Sequence, residues 1–500
     1  MEGPNQANVA SPDVIVEQVP GCQHEGEGSR TEVNNINSWV IEIPAGLCIY
    51  RVPTEFMDRN ENAYAPKYVS FGPFHHKKLS AMEDYKRDAV YRTLKRLENG
   101  NKSMDELKED LVREVQKSEE GIRDCYEGRA IEYDKETLAW MMTMDACFIL
   151  EYFRAFNSDE EDKSLVFKNE KRLNVVSLGI LMDILKLENQ IPLFLLIEIL
   201  HFELQNREKA WSTLFEMLSS LSEFQGYPFL PEKKEEKKKD RGSELVKKQN
   251  ENKKDRRSEE EEGPPKKQNE NKKDRRSELL DKHIRGSAHH LLDLCRKVTA
   301  DFLKEGNGHY TPESYVARNI PTAELLHKAG IKFKPSVDGK VGLEKGSFAC
   351  RTLSLPPIIV DDNTGTILLN VIAFEECHRS DEQYVFSHYV NLMSNLVNSE
   401  KDVALFTKEK IISNNMRSEA GVAKVFDSFS ITVGEKNLVT KVAKDIIEEY
   451  DTRMGSQVYK TINRLKEYLE QYPWYFVSIV AGILLFGMTI VQTVYSVKNN

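Results

Sequence analysis

Residues 177–204 read SLGILMDILKLENQIPLFLLIEILHFEL. The fold class turns on whether this run crosses a membrane or lies inside a soluble body. Asp183, Lys186, Glu188 and Asn189 interrupt its first half. The stretch from Ile191 to Leu200 contains Glu198 and is too short to cross, because a helix rises about 1.5 Å per residue and a bilayer needs about 20 apolar residues. Asn189 followed by Pro192 reads as one helix ending and the next beginning. The run is therefore expected to form two buried helices in the core of a soluble, mainly helical body.

Working upstream, Glu136 to Phe156 is a second apolar helix, rich in Met, Phe and Leu. From Leu79 the spacing is also helical, with Met82, Ala89, Val90, Leu94 and Leu97 on one face and charges on the other. Pro53, Pro66 and Pro73, with Gly72, break residues 51–76 into turns and extended pieces. The stretch Trp39 to Ile43 admits either a short strand or a helix start. Residues 1–36 are polar, with few large apolar side chains, and read as a disordered tail.

Downstream, residues 232–282 change character. The block KKQNENKKDRRSE occurs at 247–259 and again at 266–278, with a partial copy, KKDRGSE, at 238–244. It is too polar to bury anything and reads as a mixed-charge linker or a solvated helix. Its KKDRR steps resemble a nuclear or nucleic-acid signal, but interleaved acids cancel most of that charge. The linker divides the body into halves, 37–231 and 283–472. In the second half, Ala288 to Leu303 is helical through Leu291, Leu294, Val298 and Phe302. Pro321 opens a helix through Lys328 that Gly330 ends. A small β element follows over 331–334, 338–346, 348–355 and 358–360, and a helix starts near Thr364. Helices then run to the end of the body. Val439, Val442, Ile446, Val458, Ile462, Leu465, Leu469 and Tyr472 form an apolar stripe expected to pack on it.

Residues 473–496 hold the longest uncharged run. Trp474 to Tyr495 reads WYFVSIVAGILLFGMTIVQTVY, long enough to span a bilayer. Phe476, Ile479, Ile483, Leu484, Leu485, Phe486 and Ile490 supply its apolar surface. Trp474 and Tyr475 at one end and Tyr495 at the other suit the interfaces. Lys460, Arg464 and Lys466 precede the span and only Lys498 follows it, so the body should face the cytosol, at the plasma membrane or endoplasmic reticulum. Five residues follow the span, which suits insertion as a tail anchor.

The chain of 500 residues carries a formal charge of −10, which gives no general pull toward nucleic acid. Its seven cysteines are scattered, without CxxC spacing, and read as reduced thiols rather than a disulfide framework or zinc site. Cys147 and Cys377 are expected to be buried and inert. No phosphate loop, dinucleotide fingerprint, HExxH or GxSxG motif is present. No catalytic, metal or cofactor residues are therefore assigned. The pairs His75-His76 and His289-His290 are expected to bond to backbone, since neighbouring residues point apart. An enzyme of unrecognised type would have to draw on His75, His76 or Asp361-Asp362, converging with Glu188 or another acid.

In order along the chain stand CIYRVP (48–53), AYAPKYVSFGPFHH (63–76), MEDYKR (82–87), MDACFILEYF (144–153) and DILKLENQIPLFLL (183–196). HLLDLCR (290–296), AELLHKAGIKFK (323–334) and LPPIIVDDNTGTILLNVIAFEEC (355–377) follow. This succession resembles the plant DUF247, or UPF0481, family over roughly 37–497. Its motif positions here are Tyr50, Pro53, Tyr64, Pro66, Gly72, Pro73, His75, His76, Glu188, Asn189, Pro192, Pro356 and Glu375. Phe74, Lys77 and Ala146 depart from the usual Tyr, Gly and Gly. The resemblance implies a mostly helical body with a membrane-attached C-terminus and brings no catalytic residues or cofactor with it. Some grass members are implicated in self-incompatibility, which suggests recognition or signalling.

The expected function is a membrane-bound interaction or signalling component facing the cytosol, with a protein partner or a second copy of itself and no nucleic acid. The alternatives are an outward-facing self-recognition determinant and an unrecognised enzyme.

Overall fold

In the computed structural model, the stretch 177–204 divides where its polar residues interrupt it. One helix ends at Ile184, a short 3-10 turn covers Leu187–Asn189, and a second helix runs Leu193–Leu204. The described residues are 46–498 apart from 77, 99–100, 131, 158–169, 224–274, 287, 308–319, 337–338, 346–350, 379–383, 433–440, 457–460, 462–463, 465–467, 469–470 and 472. The N-terminal tail, Trp39 to Ile43, most of the charged linker, Cys22, Cys350, Val439 and the stripe from Val458 to Tyr472 lie outside them.

The helices of the first half are α1 (Thr54–Tyr64), α2 (Glu83–Leu97), α3 (Met104–Lys117), α4 (Glu119–Cys125), α5 (Lys135–Asn157), α6 (Glu170–Ile184), α7 (Leu193–Leu204) and α8 (Arg207–Glu223). Those of the second half are α9 (Arg275–Gly286), α10 (Leu291–Asn307), α11 (Ala323–Lys328), α12 (Thr364–His378), α13 (Val385–Leu396), α14 (Glu400–Lys408), α15 (Glu419–Thr432) and α16 (Lys441–Gly455). The last helix is α17 (Pro473–Lys498).

Helix α5 is the centre of the first half and packs against α2, α3, α7 and α8. Met141, Met142, Cys147, Ile149, Leu150 and Phe153 are buried along it. Helix α7 is apolar all round, as a core helix must be. Leu193 through Ile197, Ile199 and Leu200 are buried. The reading of 177–204 as core is borne out. Helix α2 turns Ala89, Val90 and Leu94 inward. Ser103 starts α3 with a capping box: its hydroxyl accepts the Glu106 N–H at 3.2 Å and Glu106 accepts the Ser103 N–H at 2.8 Å.

In the second half, α12 packs against α1, α10, α13 and α15. Leu291, Leu294, Val298 and Phe302 are buried on α10, as their spacing predicts. Helix α9 begins inside the stretch read as linker. Its Leu279, Leu280 and Ile284 are buried, which gives the end of that stretch an apolar face to fold with. In α16, Ile446 of the apolar stripe is buried, with Ala443 and Ile447 beside it, while Val442 is half-buried.

The β element is real but divided. β1 (Ile331–Pro335) pairs parallel with β3 (Arg351–Leu355), which pairs antiparallel with β2 (Gly342–Lys345). β4 (Ile358–Val360) leaves that sheet and pairs parallel with β5 (Ile412–Asn414). The expectation of helices alone beyond Thr364 therefore needs correcting. Three residues between two helices carry too little alternation to announce a strand.

Candidate functional site: the N-terminal strap and its polar clamps

Residues 46–76 cross the body mainly as extended chain and turns, interrupted by α1. Extended backbone without a strand neighbour still carries N–H and C=O groups that must find partners when buried. Here side chains provide them. Val52 N–H donates to Glu188 Oε1 at 2.8 Å. The amides of Lys67, Tyr68 and Val69 converge on the Asp183 carboxylate at 2.9, 2.6 and 3.1 Å. Phe71 N–H donates to Asn189 Oδ1 at 2.7 Å, while Asn189 Nδ2 donates back to Val69 O at 3.0 Å. Gly72 N–H donates to Asp145 Oδ2 at 2.8 Å. Lys86 Nζ donates to Ser70 O at 2.6 Å, and Lys186 Nζ donates to Ala65 O. His290 Nε2 donates to Cys48 O at 3.0 Å. Asn370 Nδ2 donates to Ala63 O at 2.9 Å and its Oδ1 accepts Leu187 N–H at 2.9 Å, so one amide joins α1 to the 3-10 turn.

The polar residues that interrupt the apolar run at 183–189 are thus the strap's clamps. The main partner of Glu188 and Asn189 is the strap. Asp183, Lys186, Asn370, Lys86 and Asp145 belong to the same structure, although the sequence reading names none of them as a site residue. Their signal is present in the sequence: charge or amide inside apolar runs such as MMTMDACFIL and GILMDILKL, where an unpartnered polar group would be costly.

Lys86 lies 2.7 Å from Asp145 Oδ1 and 2.9 Å from Glu83 Oε1, and is buried. Burial alone would lower the lysine, but the two carboxylates outweigh it and hold the ammonium above its ordinary range. His75 is also buried, its Nε2 2.9 Å from Glu188 Oε2. Its Nδ1 lies 3.0 Å from Lys78 Nζ. An ammonium can only donate, so Nδ1 accepts and the ring proton sits on Nε2, facing Glu188. Burial pushes Glu188 up, but His75 and the Val52 N–H outweigh it and hold the carboxyl below its usual range. The expectation that His75 bonds to backbone is corrected to a carboxylate contact. His76 is half-buried against the Tyr133 ring, at 5.6 Å between centroids.

The other motif residues shape the strap. The Pro53 carbonyl accepts the Phe56 and Met57 amides at the start of α1. Tyr64 is buried edge-on to Phe56. Pro66 precedes the three amides that enter Asp183. Gly72 has φ of +67°, and a Cβ there would meet Gln190 O and Tyr126 Oη at 2.9 Å, so only glycine fits. Pro73 begins the 3-10 turn holding His75. Pro192 precedes α7 as its N-cap. The Pro356 carbonyl accepts Tyr389 Oη at 2.8 Å.

A second group gathers where the strap meets α10 and α12. Tyr50 Oη donates to Leu47 O at 3.1 Å and lies 2.9 Å from His378 Nδ1. A phenol has one proton, so His378 Nδ1–H is the donor to Tyr50. His289 lies beside His378, at 6.4 Å between centroids. His290 fits the backbone-bonding expectation: it reaches Cys48 O, and its Nδ1 accepts Asp293 N–H at 3.2 Å. Asp293 is held by Arg296 at 2.8 Å and Lys297 at 3.2 Å. Burial would raise Asp293, but these cations keep it well below the carboxylate range. Burial lowers His289 and His378.

Asp361 turns inward on its own helix start, accepting the Asn363 and Thr364 amides and the Thr364 hydroxyl, each at 2.9 Å. Of the candidate acid–base groups, the structure brings together His75 and Glu188. Cys147 is buried and pushed up to about 12 by burial. Cys377 is corrected from buried to half-buried, with its thiol donating to Arg51 O at 3.7 Å.

Glu375 gives a pH prediction. It is buried and accepts the Ser387 amide and hydroxyl at 2.9 and 2.5 Å. Burial pushes its carboxyl up to about 7, against Arg296 and Ser387. An unfolded glutamate titrates near about 4.3. Its contribution is therefore complete below that value and lost as pH rises through about 7. His290 and His388, which burial lowers to about 3 and about 4, act in the opposite direction. Their contribution is present above about 6.5 and lost on acidification. Glu375→Gln keeps an acceptor for Ser387 and removes the first titration. Its melting temperature relative to wild type should rise from pH 5 to about pH 7 and level off above that; a constant difference would refute the assignment.

Comparison with known proteins places these features in a family. Residues 49–488 match the DUF247 family, described as "Plant protein of unknown function". A putative UPF0481 protein of Arabidopsis thaliana is 27% identical, covering 94% of this chain and 95% of the relative. Another UPF0481 protein of Arabidopsis thaliana is 25% identical, over 90% of this chain and 86% of the relative. No solved structure matches the chain significantly.

Proposed function

We propose, for a chain that belongs to the DUF247 family of plant proteins, a folded helical body tethered to a membrane by α17 and acting there as a protein-interaction or signalling component. The observation that carries the tether is Val477–Ser496: 20 residues of mean hydropathy 2.1, with 0% of the apolar window buried. Trp474, Ile479, Ile483, Leu484, Leu485, Phe486, Ile490 and Tyr495 are all exposed along α17, an apolar area that water would not tolerate free. Among the described residues this is the one helix long and apolar enough to cross. The flanking bias of Lys460, Arg464 and Lys466 against Lys498 supports a cytosolic body.

An interaction role is supported by how the motif residues are used. His75, Glu188, Asn189 and Asp361 are engaged with neighbouring side chains and backbone, and none is left poised toward a reacting group. The reading takes the body as non-catalytic, without cofactor, and its partner as a protein rather than nucleic acid.

The test is topology. An acceptor glycosylation site is added after Asn500 and the full chain is translated with microsomes. The expected result is a glycosylated tail, a protease-sensitive body, and resistance to carbonate extraction that is lost when 473–500 are removed. A protected body with an unmodified tail would place the domain outside the cytosol and favour an outward-facing recognition role. Complete carbonate extraction of the full chain would remove the tether.

A further inference from the structure

The strap's first residues run alongside the end of α4. Ile49 and Tyr126 form a parallel bridge. Ile49 N–H and Cys48 N–H both donate to Cys125 O, at 2.7 and 3.0 Å, and Glu127 N–H returns to Ile49 O at 3.0 Å. This register makes Cys48 and Cys125 neighbours. Cys48 directly precedes the bridge residue Ile49, and Cys125, the last residue of α4, directly precedes Tyr126. Adjacent extended chains lie about 4.7–4.9 Å apart, within the Cα separations of about 4.4–6.8 Å that a disulfide accepts. Both thiols are free and buried, and the Cys125 thiol is near enough to raise that of Cys48.

We propose that Cys48 and Cys125 are a dithiol that closes to a disulfide and latches the strap to α4. With a small disulfide such as oxidised glutathione as oxidant, one cysteine thiolate attacks it and releases one glutathione thiol. The second cysteine then displaces the bound glutathione, giving the intramolecular disulfide and a second glutathione thiol. Two protein thiols are oxidised and one glutathione disulfide is reduced.

The latch acts at a defined place. Cys48 lies two residues before Tyr50, which reaches His378, and its carbonyl receives His290. Arg51 N–H donates to Glu127 Oε2 at 2.8 Å, just past Cys125. Fixing Cys48 to Cys125 therefore holds the strap against both α4 and the Tyr50–His378–His289 surface. The closed loop is long, the case in which a cross-link restricts the unfolded chain most. The neighbouring Cys125 thiol and burial together raise the Cys48 thiol well above its ordinary value, so exchange requires the strap to lift or the pH to rise. The inference does not depend on which side of the membrane the body occupies; a reducing compartment would hold the latch open and an oxidising one would close it.

The experiment uses the full chain in detergent at pH 8.5, in glutathione buffers of rising oxidised fraction, with sub-denaturing urea to let the strap open. Acid quench, alkylation and non-reducing peptide mapping follow. The expected result is paired loss of two thiols, a linked peptide containing Cys48 and Cys125, and a melting temperature raised by several degrees. Dithiothreitol should reverse both. Cys48→Ser and Cys125→Ser should each abolish the link, and Cys147→Ser should leave it intact. Glutathionylation of Cys295 or Cys377 without a Cys48–Cys125 link would overturn the proposal, as would a link that leaves thermal stability unchanged. Because the primary measurement is made on the wild-type chain, an unfolded serine variant would not obscure the outcome.

Discussion

Asp183→Ala is expected to lower the unfolding free energy of the body by about 3–5 kcal/mol. The carboxylate accepts three successive amides, from Lys67, Tyr68 and Val69, and pairs with Lys186 at 3.0 Å. Removing it leaves the amides without an acceptor and a buried ammonium without its counter-charge. Each orphaned buried group costs about 1–3 kcal/mol. Asp183→Asn keeps one carbonyl oxygen for the amides and loses the charge, so its loss should be smaller. Urea titration followed by tryptophan fluorescence gives both values. If alanine and asparagine are equally mild, the strap is held by something other than Asp183.

Lys86→Met is expected to cost a comparable amount, about 3–5 kcal/mol, because it strands Asp145 in the interior and leaves the half-buried Glu83 unpaired. The methionine fills most of the lysine's volume, so the loss reports charge and hydrogen bonding more than packing. The second variant of the pair sharpens the argument. Asp145→Asn retains an acceptor for Gly72 N–H and no longer needs a cation. Lys86→Met combined with Asp145→Asn should therefore recover more than half of the single-variant loss, a coupling measured by the double-mutant cycle. Strictly additive losses would show that the pair at 2.7 Å is not coupled.

The clamps show how the motif stretches are used in the fold. Asn189 is a case in point. Its side-chain oxygen takes one strap amide, and its nitrogen serves Val69 O and Asp183 O at 3.0 and 2.9 Å. All of its useful bonds go to backbone, and serine or alanine cannot reproduce that pattern. Glu188 is divided between a strap amide and His75. His75 faces Lys78 as well as Glu188, and Glu188 is engaged on both oxygens.

What the sequence determined by itself is local. Spacing at three and four identified α2 and α10, a run rich in Met, Phe and Leu identified α5, and interrupting charges separated α6 from α7. Uncharged length marked α17, and Gly and Pro located the turns around 66–76 and 330. These signals are legible because helix periodicity, strand alternation and chain breaking each act within a few residues. Tertiary structure decided the rest. Nothing in the spacing of Asp183 announces that residues 67–69 will enter it, and nothing in Asn370 announces Ala63. β5 is too short to declare itself without β4. Cys48 and Cys125 become neighbours only when the strap is laid along α4. A buried polar group has to be satisfied, which the sequence makes plain. Which distant backbone satisfies it depends on chain crossings whose geometry is fixed by the packing of α5, α7, α10 and α12, and local pattern carries no record of those crossings.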